Sequence, residues 1–144
     1  MRNISLVIFL IVMTCWPVQS LHAQSPVSET ELQEFLNGQK LLITYREGEV
    51  VYGTYYFIEV HYCPNGYYGL YASTIKRTVM GQEQKGGWQE YGQWKVMTQE
   101  GQTGLHYTTT MGVQRFVPFY KLANGDMFVA EGITLVKQGV AICP

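Results

Sequence analysis

The chain has 144 residues, 10 basic and 11 acidic, for a formal net charge of −1, and 14% of it is aromatic. That length suits one domain around one core. No cluster of Lys or Arg goes beyond Lys76-Arg77, which excludes the basic face of a nucleic-acid binder and the polybasic patch of a membrane-surface protein.

Residues 1–23 read as a secretory signal peptide. Arg2 and the amino terminus give the positive start, Ile4 to Thr14 the apolar run, and Ala23 the small residue at the cut. The run is shorter than the roughly 20 apolar residues of a spanning helix. Cleavage predicts a single domain over 24–144, secreted or periplasmic, with no membrane span. A lipoprotein signal acting through Cys15 is the alternative, and Thr14 stands where such signals place a smaller residue. Loss of Cys15 leaves Cys63 and Cys143, an even pair in an oxidising compartment, so a Cys63–Cys143 disulfide is expected. Closing the 80-residue separation between them corresponds to on the order of 4–5 kcal/mol of loop entropy.

The first element is a short helix over 29–36. Ser28 and Glu31 form a capping box, Leu32, Phe35 and Leu36 make one apolar stripe, and Asn37-Gly38 supplies the stop. Strand signals follow at 41–45, 50–52, 54–62 (with Gly53 as a bulge), 67–79, 88–98, 105–111, 115–122, 127–129 and 133–136. Asn65-Gly66 and Asn124-Gly125 mark hairpin turns. The Gly81 to Gly87 stretch reads as a flexible polar link. No link is long enough for the crossover helix that parallel strands need. The expected fold is therefore all-β: an antiparallel meander of about eight strands forming a small barrel or half-barrel, with one N-terminal helix. Alternation divides 54–62 into two faces, Tyr56, Ile58, Val60 and Tyr62 on one and Tyr55, Phe57, Glu59 and His61 on the other, as a wall with one buried and one wet face would show.

Aromatic density is the main functional signal. Tyrosine offers an apolar face and a hydroxyl, which suits sugar stacking or a ligand pocket, and it is equally at home in ordinary cross-strand pairs. The candidate ligand-binding residues are Tyr55, Phe57, Glu59, His61, Tyr67, Tyr71 and Trp94. A Glu59 buried in such a pocket would titrate high. Trp88 and Trp94 also read as core anchors. Neither metal nor cofactor is expected: His61-x-Cys63 lacks the spacing of a zinc site, and paired cysteines ligate nothing. Catalysis is not expected either, since no Gly-x-Ser-x-Gly elbow occurs and a paired cysteine cannot act as nucleophile.

Gly92-Gln93-Trp94, together with the short helix before the first strand, resembles the Gly-x-Trp signature of lipocalins and other calycins. Here the motif lies mid-chain; the family's usual place holds Leu36-Asn37-Gly38-Gln39-Lys40, without tryptophan. The resemblance implies a calycin-like barrel with a small-ligand role. The expected function is thus a secreted, non-enzymatic binding module for a small apolar molecule or a glycan. The alternative is a protein-interaction part, an envelope component or an inhibitor that meets an envelope or host protein. A small barrel enzyme ranks last.

Overall fold

The computed structural model describes residues 24–144; the leader and its Cys15 lie outside the described residues. Strand β1 (Gln24–Pro26) leads to helix α1 (Glu29–Leu36). Then come β2 (Gln39–Gly48), β3 (Gly53–Tyr62), β4 (Tyr67–Arg77), β5 (Glu83–Gln99), β6 (Gln102–Thr109) and β7 (Gln114–Pro118). The chain ends its strands with β8 (Tyr120–Leu122), β9 (Met127–Phe128) and β10 (Thr134–Val140).

All pairing is antiparallel, as the short links require. Seven strands form one sheet in the order β10-β2-β3-β4-β5-β6-β7, and β1-β8-β9 form a second. The meander is present, but the barrel does not close: β10 and β7 stand at opposite ends of the large sheet and share no ladder. The expected strand over 115–122 is the reason. It breaks after Pro118, Phe119 donates its N–H to Thr103 O, and the chain continues as β8 in the small sheet. The small sheet meets the large one again where β9 packs beside β10.

Strand β5 sets the shape. Its first part, Glu83 to Gln93, pairs with β4, while Gly92 to Gln99 pairs with β6. The sheet is therefore staggered at β5. Glycine is needed at the handover, because a Cβ on Gly92 would lie 2.1 Å from Thr108 O.

The helix is capped as its sequence demands. Ser28 Oγ accepts from Glu31 N–H at 3.2 Å, and Glu31 Oε2 accepts from Ser28 N–H at 3.0 Å. Gly38, at φ +71°, turns the chain into β2. Leu32 and Leu36 dock on the inner face of the large sheet against Leu41, Val60, Tyr62 and Leu105, with Val27 and Phe119 completing the core. Lys121 on β8 donates to Glu31 Oε1 at 2.8 Å and so ties helix to small sheet.

Three expectations need correction. Val50 to Tyr52 is not a strand; it is the exposed tip of the β2–β3 hairpin, closed at the Gly48–Gly53 pair. Gly53 opens β3 rather than forming a bulge. Much of the supposed link from Gly81 to Gly87 belongs to β5, which starts at Glu83. Gly86 and Gly87 are strand residues there, and a Cβ on Gly87 would stand 2.4 Å from Ala72 O, so glycine permits the close approach of β4.

Candidate functional site

Residues directly opposite one another in a ladder share a face of the sheet. The pairs Phe57–Ser73, Glu59–Tyr71 and His61–Gly69 on β3–β4 continue as Ser73–Gly87, Tyr71–Gln89 and Gly69–Tyr91 on β4–β5, and Tyr67 faces Gln93. The outer face thus carries a diagonal of rings, Phe57 on β3, Tyr71 on β4 and Tyr91 on β5, with Tyr67 beyond it. Small residues, Ser73, Gly87 and Gly69, lie in the gaps. These four rings stay open to solvent, at 37%, 41%, 44% and 49% exposure for Phe57, Tyr71, Tyr91 and Tyr67.

Gly69 forms the floor between two of them. A Cβ there would make ordinary contact with Tyr71 and Tyr91, each at 3.5 Å, so the two rings flank this position closely. The rings meet edge to face with centroids 5.9 Å apart, and their hydroxyl oxygens stand 3.5 Å apart. Tyr91 also donates to Gln89 Oε1 at 3.2 Å. Contact with the Tyr91 hydroxyl, followed by partial burial and the Glu59 charge, holds the Tyr71 phenol above its usual range. Tyr71 is therefore a neutral hydroxyl at physiological pH.

His61 behaves differently from its neighbours. It shares a face with Phe57 and Glu59, yet it is only 4% exposed, because the segment 141–144 crosses over it. Three ties hold that segment: Ala141 N–H to Gly38 O at 2.8 Å, Ile142 N–H to His61 Nδ1 at 2.8 Å, and the Cys63–Cys143 disulfide. Since Nδ1 accepts a backbone proton, the hydrogen of the neutral ring is on Nε2, which donates to Glu59 Oε1 at 2.7 Å. Both ring nitrogens are committed, and neither is left for a proton transfer or a metal. Glu59 keeps more than a third of its side chain in solvent and also faces Lys40 Nζ at 3.9 Å, so it is not the enclosed carboxyl that the sequence allowed for. Among the described residues no group of three His, Cys, Asp or Glu is placed to hold a metal ion.

Two other candidates lie elsewhere. Tyr55 sits at the far end of the outer face, where its hydroxyl donates to Val50 O at 2.9 Å and Arg77 lies over its ring at 5.3 Å. Trp94 is on the opposite face and buried. Its indole N–H donates to Cys63 O at 3.0 Å, its backbone N–H donates to Gly66 O at 2.8 Å, and its ring meets Tyr62 edge to face at 5.4 Å. It anchors the Cys63–Gly66 turn on the core and does not reach the outer rings.

The inner face holds two polar groups, one buried and one that reaches solvent. Tyr62 and Tyr107 join hydroxyls at 2.7 Å, Tyr68 donates to Glu90 Oε1 at 2.7 Å, and Arg115 faces Glu90 Oε2 at 3.6 Å. Burial drives Tyr62, Tyr68 and Tyr107 well above the usual phenol range, and the bond to Glu90 adds to this for Tyr68. Sequence reasoning missed Tyr91, Gln89 and Gln93 for the outer face. The signal was present: Gln89, Tyr91 and Gln93 alternate with Trp88, Glu90, Gly92 and Trp94.

No family model matches this chain, and neither a curated protein nor a solved structure matches it. The disulfide suits an oxidising compartment outside the cytoplasm. No helix among the described residues is long and apolar enough to cross a membrane.

Proposed function

We propose that this protein is an exported, non-enzymatic binding module whose outer face holds a linear glycan. The observation that carries the reading is the diagonal of exposed rings, Phe57, Tyr71 and Tyr91, laid across three central strands of a rigid sheet. Sugar rings present C–H faces that stack on such side chains, and hydroxyls that need nearby acceptors and donors. Glu59, Ser73, Gln89 and Gln93 supply those between and beside the rings. Export rests on the leader and on the disulfide. The small apolar ligand that the calycin resemblance implies has less support, because Tyr62, Tyr68, Trp94 and Tyr107 fill the space behind the sheet where a carrier would hold its cargo.

Affinity electrophoresis through gels containing a panel of soluble β- and α-glucans, xylans and mannans tests this. Retardation by one class is expected, lost in Tyr71→Ala and Tyr91→Ala. No retardation across the panel, or retardation unchanged in both variants, refutes it.

A protein-interaction role is favoured by a different observation. The tips of the β2–β3 and β4–β5 hairpins emerge side by side at one end of the sheet and expose Val50, Val51, Val79 and Met80. Substituting these four with serine separates the readings, since glycan retardation is unaffected if the rings hold the ligand.

A further inference from the structure

The stagger at β5 leaves a free edge in the middle of the fold. Ladder β5–β6 begins at Gly92–Thr109, and Thr110 N–H reaches Tyr91 O at 2.9 Å. Below that point β5 pairs with β4 alone. Backbone groups of successive strand residues alternate in direction. Tyr91 faces away from β4, so the N–H and C=O of Gln89, Gly87 and Lys85 do too, and among the described residues none has a ladder partner. Every residue from Glu83 to Gln89 is exposed.

The other two edges of the large sheet are guarded. Strand β10 has a register irregularity between Lys137 and Val140, lies beside β9 and runs into the fastened 141–144 segment. Strand β7 has five residues and ends at Pro118. Bulges, prolines and short length are the usual protection of an edge against pairing. The β5 edge has none of these three, and its guard is the single lysine Lys85.

We propose that this edge pairs with the same edge of a second copy of the chain, antiparallel and two-fold about Gly87. The free span 85–89 complements itself in that register. Lys85 faces Gln89 of the second copy, and Trp88 lies across from Gly86, where its ring covers the bare backbone. No like charges oppose. Centring on Lys85 instead would set two ammonium groups against each other, and centring on Gln89 would run into β6. Gly87 brings its outward N–H and C=O to the axis, forming a hydrogen-bonded pair with its own mate. Such a two-fold axis runs perpendicular to the sheet, so both outer faces point the same way. Two ring diagonals on one surface would bind a polymer bivalently. That consequence depends on the glycan reading; the pairing does not.

The test is sedimentation equilibrium of the mature chain, 24–144, across micromolar concentrations. A monomer–dimer equilibrium is expected. Lys85→Pro removes an outward N–H that has no partner within one chain, and should raise the dimer Kd at least tenfold while the circular dichroism and the disulfide remain those of the parent. Gln89→Lys puts an ammonium opposite Lys85 of the second copy and should also weaken the dimer; adding Lys85→Glu should restore it. A parent chain that stays monomeric overturns the proposal. So does a dimer that Gln89→Lys leaves intact, or one that the added Lys85→Glu fails to rescue, and both tests apply even if Lys85→Pro does not fold.

Discussion

The two faces of β3 begin with similar residues and end in different physical states. Inward, Ile58, Val60 and Tyr62 are sealed by helix α1 and by rings from β4, β5 and β6. Outward, Phe57 and Glu59 remain wet, and only His61 and Cys63, two and four residues further on, are covered by the 141–144 segment. The inner face is buried by a whole layer, and the outer face by one strap at one end. Stability therefore belongs to the inner face and to the strap, while the open part of the outer face is free to meet a ligand at little cost to the fold.

Substitutions can break that contrast. The largest effect is expected from Trp94→Ala, which removes a buried ring and its bond to Cys63 O. A loss of about 4 kcal/mol is expected in chemical denaturation. A loss below about 1 kcal/mol would show that Trp94 does not anchor the turn. Replacing both Cys63 and Cys143 with serine releases the strap and should cost about 4 kcal/mol or somewhat less, because the loop-entropy figure is seldom reached in full. Hydrogen exchange at Ile142 should quicken in that double variant. Tyr107→Phe leaves the Tyr62 hydroxyl buried and unpaired and should cost about 1–3 kcal/mol, whereas Tyr62→Phe combined with Tyr107→Phe should cost less than the two single changes added together. Tyr91→Ala, on the open face, should shift stability by no more than about 0.5 kcal/mol while abolishing binding.

The smallest effect concerns Glu31. Its carboxyl is held down to about 2, against 4.5 for the free group, first by the hydrogen bond from Lys121 and then by the Ser28 backbone and hydroxyl. A depressed carboxylate stabilises the fold above its unfolded pKa, and that stabilisation is lost as pH falls through the folded one. The contribution should thus be complete above about pH 4.5 and vanish toward pH 2, and Glu31→Gln should flatten the stability profile only in that window. The side chain is exposed, so the change will be slight.

Local chemistry is legible in the sequence. Ser28 and Glu31 specify a cap through residues three apart, the Asn65-Gly66 and Asn124-Gly125 pairs specify turns, and the helix boundaries follow. The all-β meander and the cysteine pair were legible for similar reasons. What the sequence hid was decided by distant backbone. Gly86 and Gly87 look like a flexible link until β4 is placed against them. Val50 to Tyr52 has strand composition, but Gly48 and Gly53 pair across it and leave only a turn. The burial of His61 depends on a segment about eighty positions later. Tyr55, Phe57, Glu59 and His61 were placed on one face by alternation alone, but Tyr71 and Trp94 were grouped with them by residue type; the ladders bring Tyr71 to that face and put Trp94 on the other.

The strap also imposes an order on the life of the chain. Cys63 is synthesised at the end of β3, while its mate follows every later strand. This bond cannot form until β4 to β10 have been made and Ile142 can settle on His61. Closure of the bond is thus a timestamp: a chain that carries it has made every strand from β1 to β10, and one stalled before residue 143 cannot carry it.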